Sequence, residues 1–169
     1  RLIDDRGHVL SYTETLLATL VLLDGTLRGD AVALPVSTTD RAVEMVRSHG
    51  YRVVPTELST SALMDAATEE GVGFAGDQDG GIIFPAFLPA FDAAATIVRL
   101  LDLLSHHEAK LSEVVAGLPS VHLVHEVVVT PWEQKGVVMR TLVEQSKDRD
   151  IDRVDGVKVS LLDAQHEVG

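Results

Sequence analysis

The chain has 169 residues, enough for one domain with a substantial core or for one domain plus part of another. Its formal net charge of −12 argues against nucleic acid as a partner, because phosphate backbones are bound mainly by Lys and Arg. The absence of cysteine excludes a disulfide framework, a thiolate metal site and a cysteine nucleophile.

No apolar run approaches the roughly 20 residues that cross a bilayer, and the first residues, "RLIDDRG", lack the build of a signal peptide. We therefore expect a cytoplasmic protein with no membrane partner. Because Arg1 stands in what reads as the middle of a strand, we also expect the chain to be a piece of a longer protein.

The first 70 residues alternate predicted strands and helices. A strand end leads into a turn at residues 5–7, and Ser11 with Glu14 three positions later predicts a capped helix with leucines on one face. "AVALPV" predicts a buried strand, "STTD" caps a second helix that ends at Gly50, and "YRVVPTEL" predicts another strand. A helix over residues 61–70 follows, and this alternation is typical of a parallel α/β sheet.

"VGFAGD" and "GIIFP" then predict two short strands joined by a glycine-rich loop. Residues 91–107 predict a long helix, apolar on most faces and therefore well buried, and "KLSEVVAGL" predicts a shorter one. We place a boundary at Pro119. Beyond it, residues 120–131, 132–147 and 154–162 predict a strand, a helix and a strand, a β-α-β unit too small to close a core alone.

The loop "GDQDGG" concentrates the candidate chemistry. Asp77 and Asp79 could begin a calcium loop, but Gly81 stands at its fifth position and Leu88 at its twelfth, where a glutamate is needed. A phosphate cradle would require a lysine or a following helix N-terminus. Two interpretations remain open from the residues: a loop whose main chain and carboxylates bind a polyol, and an ordinary acidic turn.

The histidines give no metal site. His106 and His107 end a helix, where the helix dipole favours cations. His122 and His125 are three apart in a predicted strand and so point to opposite faces. No serine, histidine and aspartate form a defensible triad, so we assign neither catalytic residues nor metal ligands.

Several segments, taken in order, resemble the α-D-phosphohexomutases, of phosphomannomutase and phosphoglucomutase type. They are "IDDRGHVLS", "AVALPVSTTDRAVEMVRSHGYRVVPTEL", "GFAGDQDGGIIFP", "FDAAATIVRLLDLL" and "DGVKVSLL". "AGDQDGGIIFPAFLPAFDAA", "LPSVHLVHE" and "PWEQKGVVMRTLVE" further resemble the mutase-like region that some bacterial proteins carry behind a mannose-1-phosphate guanylyltransferase domain.

The resemblance implies four domains around a cleft, with a phosphoserine loop, a Mg²⁺-binding aspartate loop, a sugar-reading loop and a phosphate-binding loop. We expect an α/β fold here: a three-layer αβα third domain with a mostly parallel sheet over residues 1–118, then an incomplete β-α-β piece of the α+β fourth domain over residues 119–169. The aspartate loop would lie before Arg1 and the phosphate loop after Gly169. The chain alone is then inactive, and any Mg²⁺ belongs to the parent protein.

By this resemblance the substrate-binding residues are Gly76, Asp77, Gln78, Asp79, Gly80, Gly81 and Thr56. The family loop usually runs Gly-Glu-x-Ser-Gly-His, so Asp77 stands for the glutamate, Asp79 for the serine and Gly81 for the histidine. After Thr56, the family's glycine and basic residue are replaced by Leu58 and Ser59 with polar neighbours. The ligand implied for the parent is a hexose phosphate. The alternative is a mutase-shaped domain that binds or regulates without catalysis.

Overall fold

The computed structural model describes residues 1–149 and 151–159. The chain divides into two compact units, the first spanning Arg1–Val121 and the second beginning at His122. No helix within the described ranges combines the length and the apolar character that a membrane span requires. The first unit contains α1 (Tyr12–Leu22), β1 (Ala31–Pro35), α2 (Asp40–Ser48), β2 (Arg52–Thr56), α3 (Thr60–Ala66), β3 (Val72–Gly76), β4 (Ile82–Ile83), α4 (Ala93–His106) and α5 (Leu111–Ala116).

The four strands of this unit form one sheet in the order β2-β1-β3-β4. β1 pairs in parallel with both β2 and β3, and the short β4 runs antiparallel to β3. The crossovers from β1 to β2 and from β2 to β3 are made by α2 and α3. The predicted α/β class with a mostly parallel sheet is confirmed.

Both faces of the sheet are covered by helices, which gives three layers. Alternate side chains of a strand point to opposite faces. On one face Val32, Leu34 and Phe74 pack with residues of α1, α2 and α4. On the other face the small side chains of Ala33 and Ala75 pack against α3. The core therefore lies between the sheet and the helices on both sides.

The entry into α1 follows the predicted pattern. A hairpin turn pairs Ile3 with Val9, and the Leu10 amide donates to the Leu2 carbonyl at 3.0 Å. Ser11 then caps α1: its hydroxyl accepts from the Glu14 amide at 3.1 Å, and a Glu14 carboxylate oxygen accepts from the Ser11 amide at 2.7 Å. The capping box predicted from the sequence is confirmed.

Two helices of the first unit differ from their predictions. α3 ends at Ala66 instead of residue 70, because the Thr68 hydroxyl and amide both bond to the Asp65 carbonyl and close a turn. α4 was predicted to be well buried, and this is wrong. Ile97 is 56% exposed and Val98 68% exposed, since α4 packs through one side only, where Leu100 and Leu103 are buried.

The second unit contains α6 (Trp132–Gln145), β5 (Ile151–Asp152) and β6 (Lys158–Val159), with β5 and β6 antiparallel. The strand predicted over residues 120–131 is wrong, because the described residues form no strand there and Val129 is 94% exposed. Strands need a hydrogen-bonded neighbour, which that segment does not have among the described strands. Of the strand predicted over 154–162, residues 160–162 lie outside the described part.

Replacing Ser11 by alanine is expected to lower the free energy of unfolding by about 1 kcal/mol at neutral pH, because the Glu14 amide in the first turn of α1 loses the hydroxyl that accepts from it. Urea unfolding measures this difference. Thr13→Ala, inside the same helix, is the matched control and is expected to change stability by less. Equal effects of the two substitutions would contradict a capping role.

The Glu14 carboxylate makes stability depend on pH. The Ser11 amide, helped by the Ser11 hydroxyl and His8, lowers the pKa of Glu14 below its ordinary 4.5. A lowered folded-state pKa gives stability that is present above the unfolded pKa and is lost as the pH falls through the folded pKa. Wild type is therefore expected to exceed Glu14→Gln in unfolding free energy at pH 7, and the gap should close below pH 4.5.

Urea unfolding between pH 3 and pH 7 checks this closure. Glu69→Gln, at an exposed glutamate outside the helices, is the control and should leave the pH profile as in wild type. A gap between wild type and Glu14→Gln that stays constant down to the acid end would contradict the assigned role of the carboxylate.

Candidate functional site

The candidate site lies at the edge of the sheet where the parallel strands end. The carboxyl ends of β1, β2 and β3 meet there and lead into the connections at residues 36–39, 57–59 and 77–81. In doubly wound folds in which the first strand lies between the second and the third, ligands bind at the carboxyl ends of the first and third strands. The loop between β3 and β4 is therefore at the edge where such folds bind ligands.

The Asp77 carboxylate closes this loop through hydrogen bonds to the loop's own main chain. Its Oδ1 accepts from the Asp79 amide at 2.9 Å and from the Gly81 amide at 2.7 Å, and its own amide donates to the Gly81 carbonyl at 3.0 Å. A side-chain oxygen that bonds the amide two residues on defines an Asx turn. One carboxylate oxygen of Asp77 is thus committed to loop structure.

The two glycines that follow are needed for steric reasons. Gly80 has φ of 100°, and a Cβ added to it would lie 2.7 Å from the Tyr12 ring. A Cβ on Gly81 would lie 2.4 Å from the Asp77 carboxylate and 2.5 Å from the Phe91 ring. The loop is therefore packed between Tyr12 at the start of α1 and Phe91 just before α4.

Asp79 is the carboxylate that the loop leaves free. It is exposed, and its side chain forms no hydrogen bond or ion pair with any residue that the structure describes. Its amide is held by Asp77, which fixes the backbone from which the side chain projects. Asp79 can therefore accept hydrogen bonds from a ligand without first losing a protein partner.

A cleft of about 570 Å³ opens beside the loop, a size in the usual range for small-molecule sites. Asp77, Asp79 and Asp92 bring three carboxylates to its lining, and Arg1 brings a guanidinium. The Arg1 guanidinium lies 5.2 Å from the centre of the Tyr12 ring, within cation–π range. The Asp92 carboxylate also caps α4, since it accepts from the Ala95 amide at 2.8 Å.

The predicted site residues divide into two groups. The residues that line the cleft are Asp77, Asp79, Gly80 and Gly81. The other three lie outside its lining: Gly76, Gln78 and Thr56.

The three residues outside the lining have structural contacts of their own. Gly76 packs against Phe74, with 2.9 Å between an added Cβ and that ring. Gln78 donates to the Ser37 carbonyl at 3.0 Å. Thr56 is buried at the end of β2, and its hydroxyl donates to the Glu57 carbonyl at 2.9 Å.

Sequence reasoning missed Arg1, Tyr12 and Phe91 as members of the site. Arg1 and Tyr12 are far from the loop in the chain, Phe91 lies beyond β4, and folding brings all three to the cleft. A signal existed for Tyr12, a large aromatic at the first position of a capped helix whose buried face is built from leucines.

Two further observations concern metal-binding groups and a neighbouring cavity. Within the described residues, no group of three histidine or carboxylate side chains is placed to hold a metal ion. A larger, mostly apolar cavity of about 650 Å³ lies between the end of α1 and α4, lined in part by Leu23, Leu27 and Val98. It contains no residue of the loop, so we assign the candidate site to the smaller, more polar cleft.

Comparison with known proteins identifies the family to which the chain belongs. The sequence pattern of the phosphoglucomutase/phosphomannomutase alpha/beta/alpha domain III matches residues 12–122. A probable phosphoglucosamine mutase of Methanopyrus kandleri is 35% identical over 134 residues, which cover 78% of this chain and 30% of that protein. A phosphoglucomutase/phosphomannomutase of Thermococcus kodakarensis is 24% identical over 93% of this chain and 35% of its own length.

A solved structure agrees in fold. The crystal structure of a phosphoglucomutase/phosphomannomutase family protein from Burkholderia thailandensis superposes with a TM-score of 0.68 at 22% identity, over 94% of this chain and 34% of that one. The chain thus spans about a third of the length of these relatives. From the match over residues 12–122, the chain belongs to the α-D-phosphohexomutase family, and it is those residues that match the alpha/beta/alpha domain III.

Proposed function

We propose that the cleft binds the hydroxyl groups of a hexose phosphate, and that this chain supplies the sugar-reading loop of a phosphohexomutase-like protein of sugar-nucleotide metabolism. The observation that carries the proposal is the free carboxylate of Asp79, held on a closed loop at the lining of a cleft of about 570 Å³. A sugar offers many hydroxyl donors, and carboxylates are acceptors for them.

The remaining lining suits a sugar ring. Gly80 exposes main chain to the cleft without a side chain in the way, while Tyr12 and Phe91 offer apolar surface to the faces of the ring. Thr60 and Thr96 also line the cleft, and the Thr96 hydroxyl donates to the Asp92 carbonyl at 2.7 Å. The set combines apolar surface with a few polar groups, as small-molecule sites usually do.

The phosphate of the ligand has little to bind it in this cleft. Three carboxylates face one guanidinium, that of Arg1, so a dianionic phosphate placed beside them would be repelled. We therefore propose that the phosphate is held by another part of the parent protein. We propose the same for phosphoryl transfer and for Mg²⁺, which the resemblance assigns to other domains of the parent protein.

The names of the relatives support this class of ligand. Two of them are named for reactions of phosphoglucosamine, phosphoglucose and phosphomannose. The segments shared with the mutase-like region behind mannose-1-phosphate guanylyltransferases, such as "AGDQDGGIIFPAFLPAFDAA", support a parent protein that joins the two. In that parent, cytoplasmic and active on hexose 1-phosphates or 6-phosphates, this chain would hold the sugar.

A second candidate function is binding or regulation without catalysis. The observation that favours it is the packing at Gly81, where the family histidine would stand: an added Cβ meets the Asp77 carboxylate and the Phe91 ring. Leu58 and Ser59 likewise replace the family's basic residue after β2. A domain altered in this way keeps sugar contacts while losing donors for the phosphate.

Asp79→Ala is expected to weaken sugar phosphate binding about tenfold or more, because a hydrogen bond to a charged group contributes roughly 1.5–3 kcal/mol. The measurement is an NMR titration of the chain with mannose 1-phosphate, glucose 1-phosphate and inorganic phosphate. The sugar phosphates should shift the amides of residues 77–81, and phosphate alone should not.

Asp24→Ala, at an exposed aspartate in the turn after α1, is the matched charge control and should bind as wild type does. Shifts produced equally by inorganic phosphate would contradict recognition through hydroxyls. Titrations in which none of the sugars moves the loop amides would end the sugar-site proposal.

Gly81→Ala is expected to destabilise the first unit by about 1–3 kcal/mol, the usual effect of extra volume in a packed site. Gly117→Ala is the control, because its Cβ would meet nothing nearer than 3.6 Å, and it should be nearly neutral. Urea unfolding compares the two. Equal stability would show that the loop adapts to a side chain at position 81 and could accept a histidine.

A further inference from the structure

One side chain connects the candidate loop to the neighbouring connection of the sheet. Gln78 Nε2 donates to the Ser37 carbonyl at 3.0 Å, across 41 residues of sequence. Ser37 belongs to the segment between β1 and α2, two residues before Thr39, which caps α2. In the described part of the chain, the other side-chain hydrogen bonds made by residues 77–81 stay within the loop.

The internal closure of the loop makes this bond important. Asp77 ties the loop to itself at the Asp79 and Gly81 amides, so residues 77–81 form a compact turn on a base of two strand pairs, Ala75 with Ile83 and Gly76 with Ile82. Beyond this base, the turn packs against the Tyr12 and Phe91 rings. Its lateral position along the sheet edge then depends on contacts with other elements.

The junction between the two connections also contains buried polar atoms without partners. Thr38 is 1% exposed and its Oγ1 has no hydrogen-bond partner among the described residues, and the same holds for the buried Gln78 Oε1. Such atoms cost free energy, and natural proteins keep few of them.

We propose that Gln78 is a positioning residue: its amide holds the loop of residues 77–81 against the β1–α2 connection, and so fixes where Asp79 and Gly80 stand in the cleft. It acts without lining the cleft itself. The effect on ligand affinity rests on the proposed sugar-binding function, whereas the coupling of the two connections does not. Binding sites need supporting contacts that hold the ligand-facing groups within about 0.5 Å.

The direct test is amide hydrogen exchange, measured by NMR on the full chain. Gln78→Leu removes the bond, and Gln78→Glu keeps the length while it replaces the donor with an acceptor that faces the Ser37 carbonyl. Both variants should exchange roughly 2- to 10-fold faster at the Asp79, Gly81 and Thr38 amides, the factor that one net hydrogen bond supplies. Amides of β1 and β2 should keep wild-type rates.

Gln134→Leu is the matched control, an exposed glutamine on α6 whose loss should change none of these rates. Faster exchange at the Thr38 amide cannot come from a role of Gln78 within its own loop. The Thr38 amide donates to the Pro35 carbonyl and makes no bond to Gln78. Unchanged exchange at both Thr38 and the loop amides in Gln78→Leu and Gln78→Glu would overturn the proposal.

Ligand binding provides a second test of the proposal. If mannose 1-phosphate or glucose 1-phosphate shifts the wild-type loop, Gln78→Leu should weaken that binding roughly 2- to 10-fold while the same amides still shift. Full wild-type affinity in Gln78→Leu would overturn its effect on the ligand. If wild type binds neither sugar phosphate, the proposed function fails, and the exchange rates still decide whether Gln78 couples the two connections.

Discussion

The structure depends on the central position of β1. All five of its residues are buried, and it pairs in parallel with β2 on one side and with β3 on the other. Pro35 cannot donate a hydrogen bond, and it stands at the last position of the strand, where Val36 takes over pairing by donating to Thr56. Because of this arrangement, connections distant in sequence leave the sheet at one edge, and Gln78 can reach Ser37.

The parts of the fold that could be predicted are those that depend on residues close together in the sequence. Ser11 and Glu14 specify a capped helix by themselves, and the apolar run before Ser37 specifies a buried strand. The exposed face of α4 could not be predicted, because an apolar helix gives no indication of how many sides will be covered. The valines of residues 120–131 have strand propensity, but pairing needs a neighbour as well as propensity.

The candidate site was predictable as a loop and not as a cleft. The glycines and aspartates of residues 76–81 stand out in the sequence, whereas Arg1, Tyr12 and Phe91 join them only through tertiary packing. The sequence likewise could not show that Asp77 and Asp79 have different roles. Asp77 bonds back to the main chain of its own loop and Asp79 does not, a difference that depends on backbone geometry.

The same geometry brings together two positions at which the loop differs from the family pattern that it resembles. With Asp77 turned inward, its carboxylate lies next to position 81, where an added Cβ would also meet the Phe91 ring. By the resemblance, Asp77 and Gly81 stand where the family has a glutamate and a histidine, and these two positions are in contact range in this loop.

The uncovered side of α4 has a consequence for the colloidal behaviour of the chain. Ile97, Val98 and Leu101 present an apolar stripe to solvent, and surfaces of this kind favour self-association. The net charge of −12 opposes that association through mutual repulsion between molecules. Salt screens the repulsion and acid removes the charge that causes it, so dilute buffer at neutral or higher pH is the condition in which isolated molecules stay dispersed.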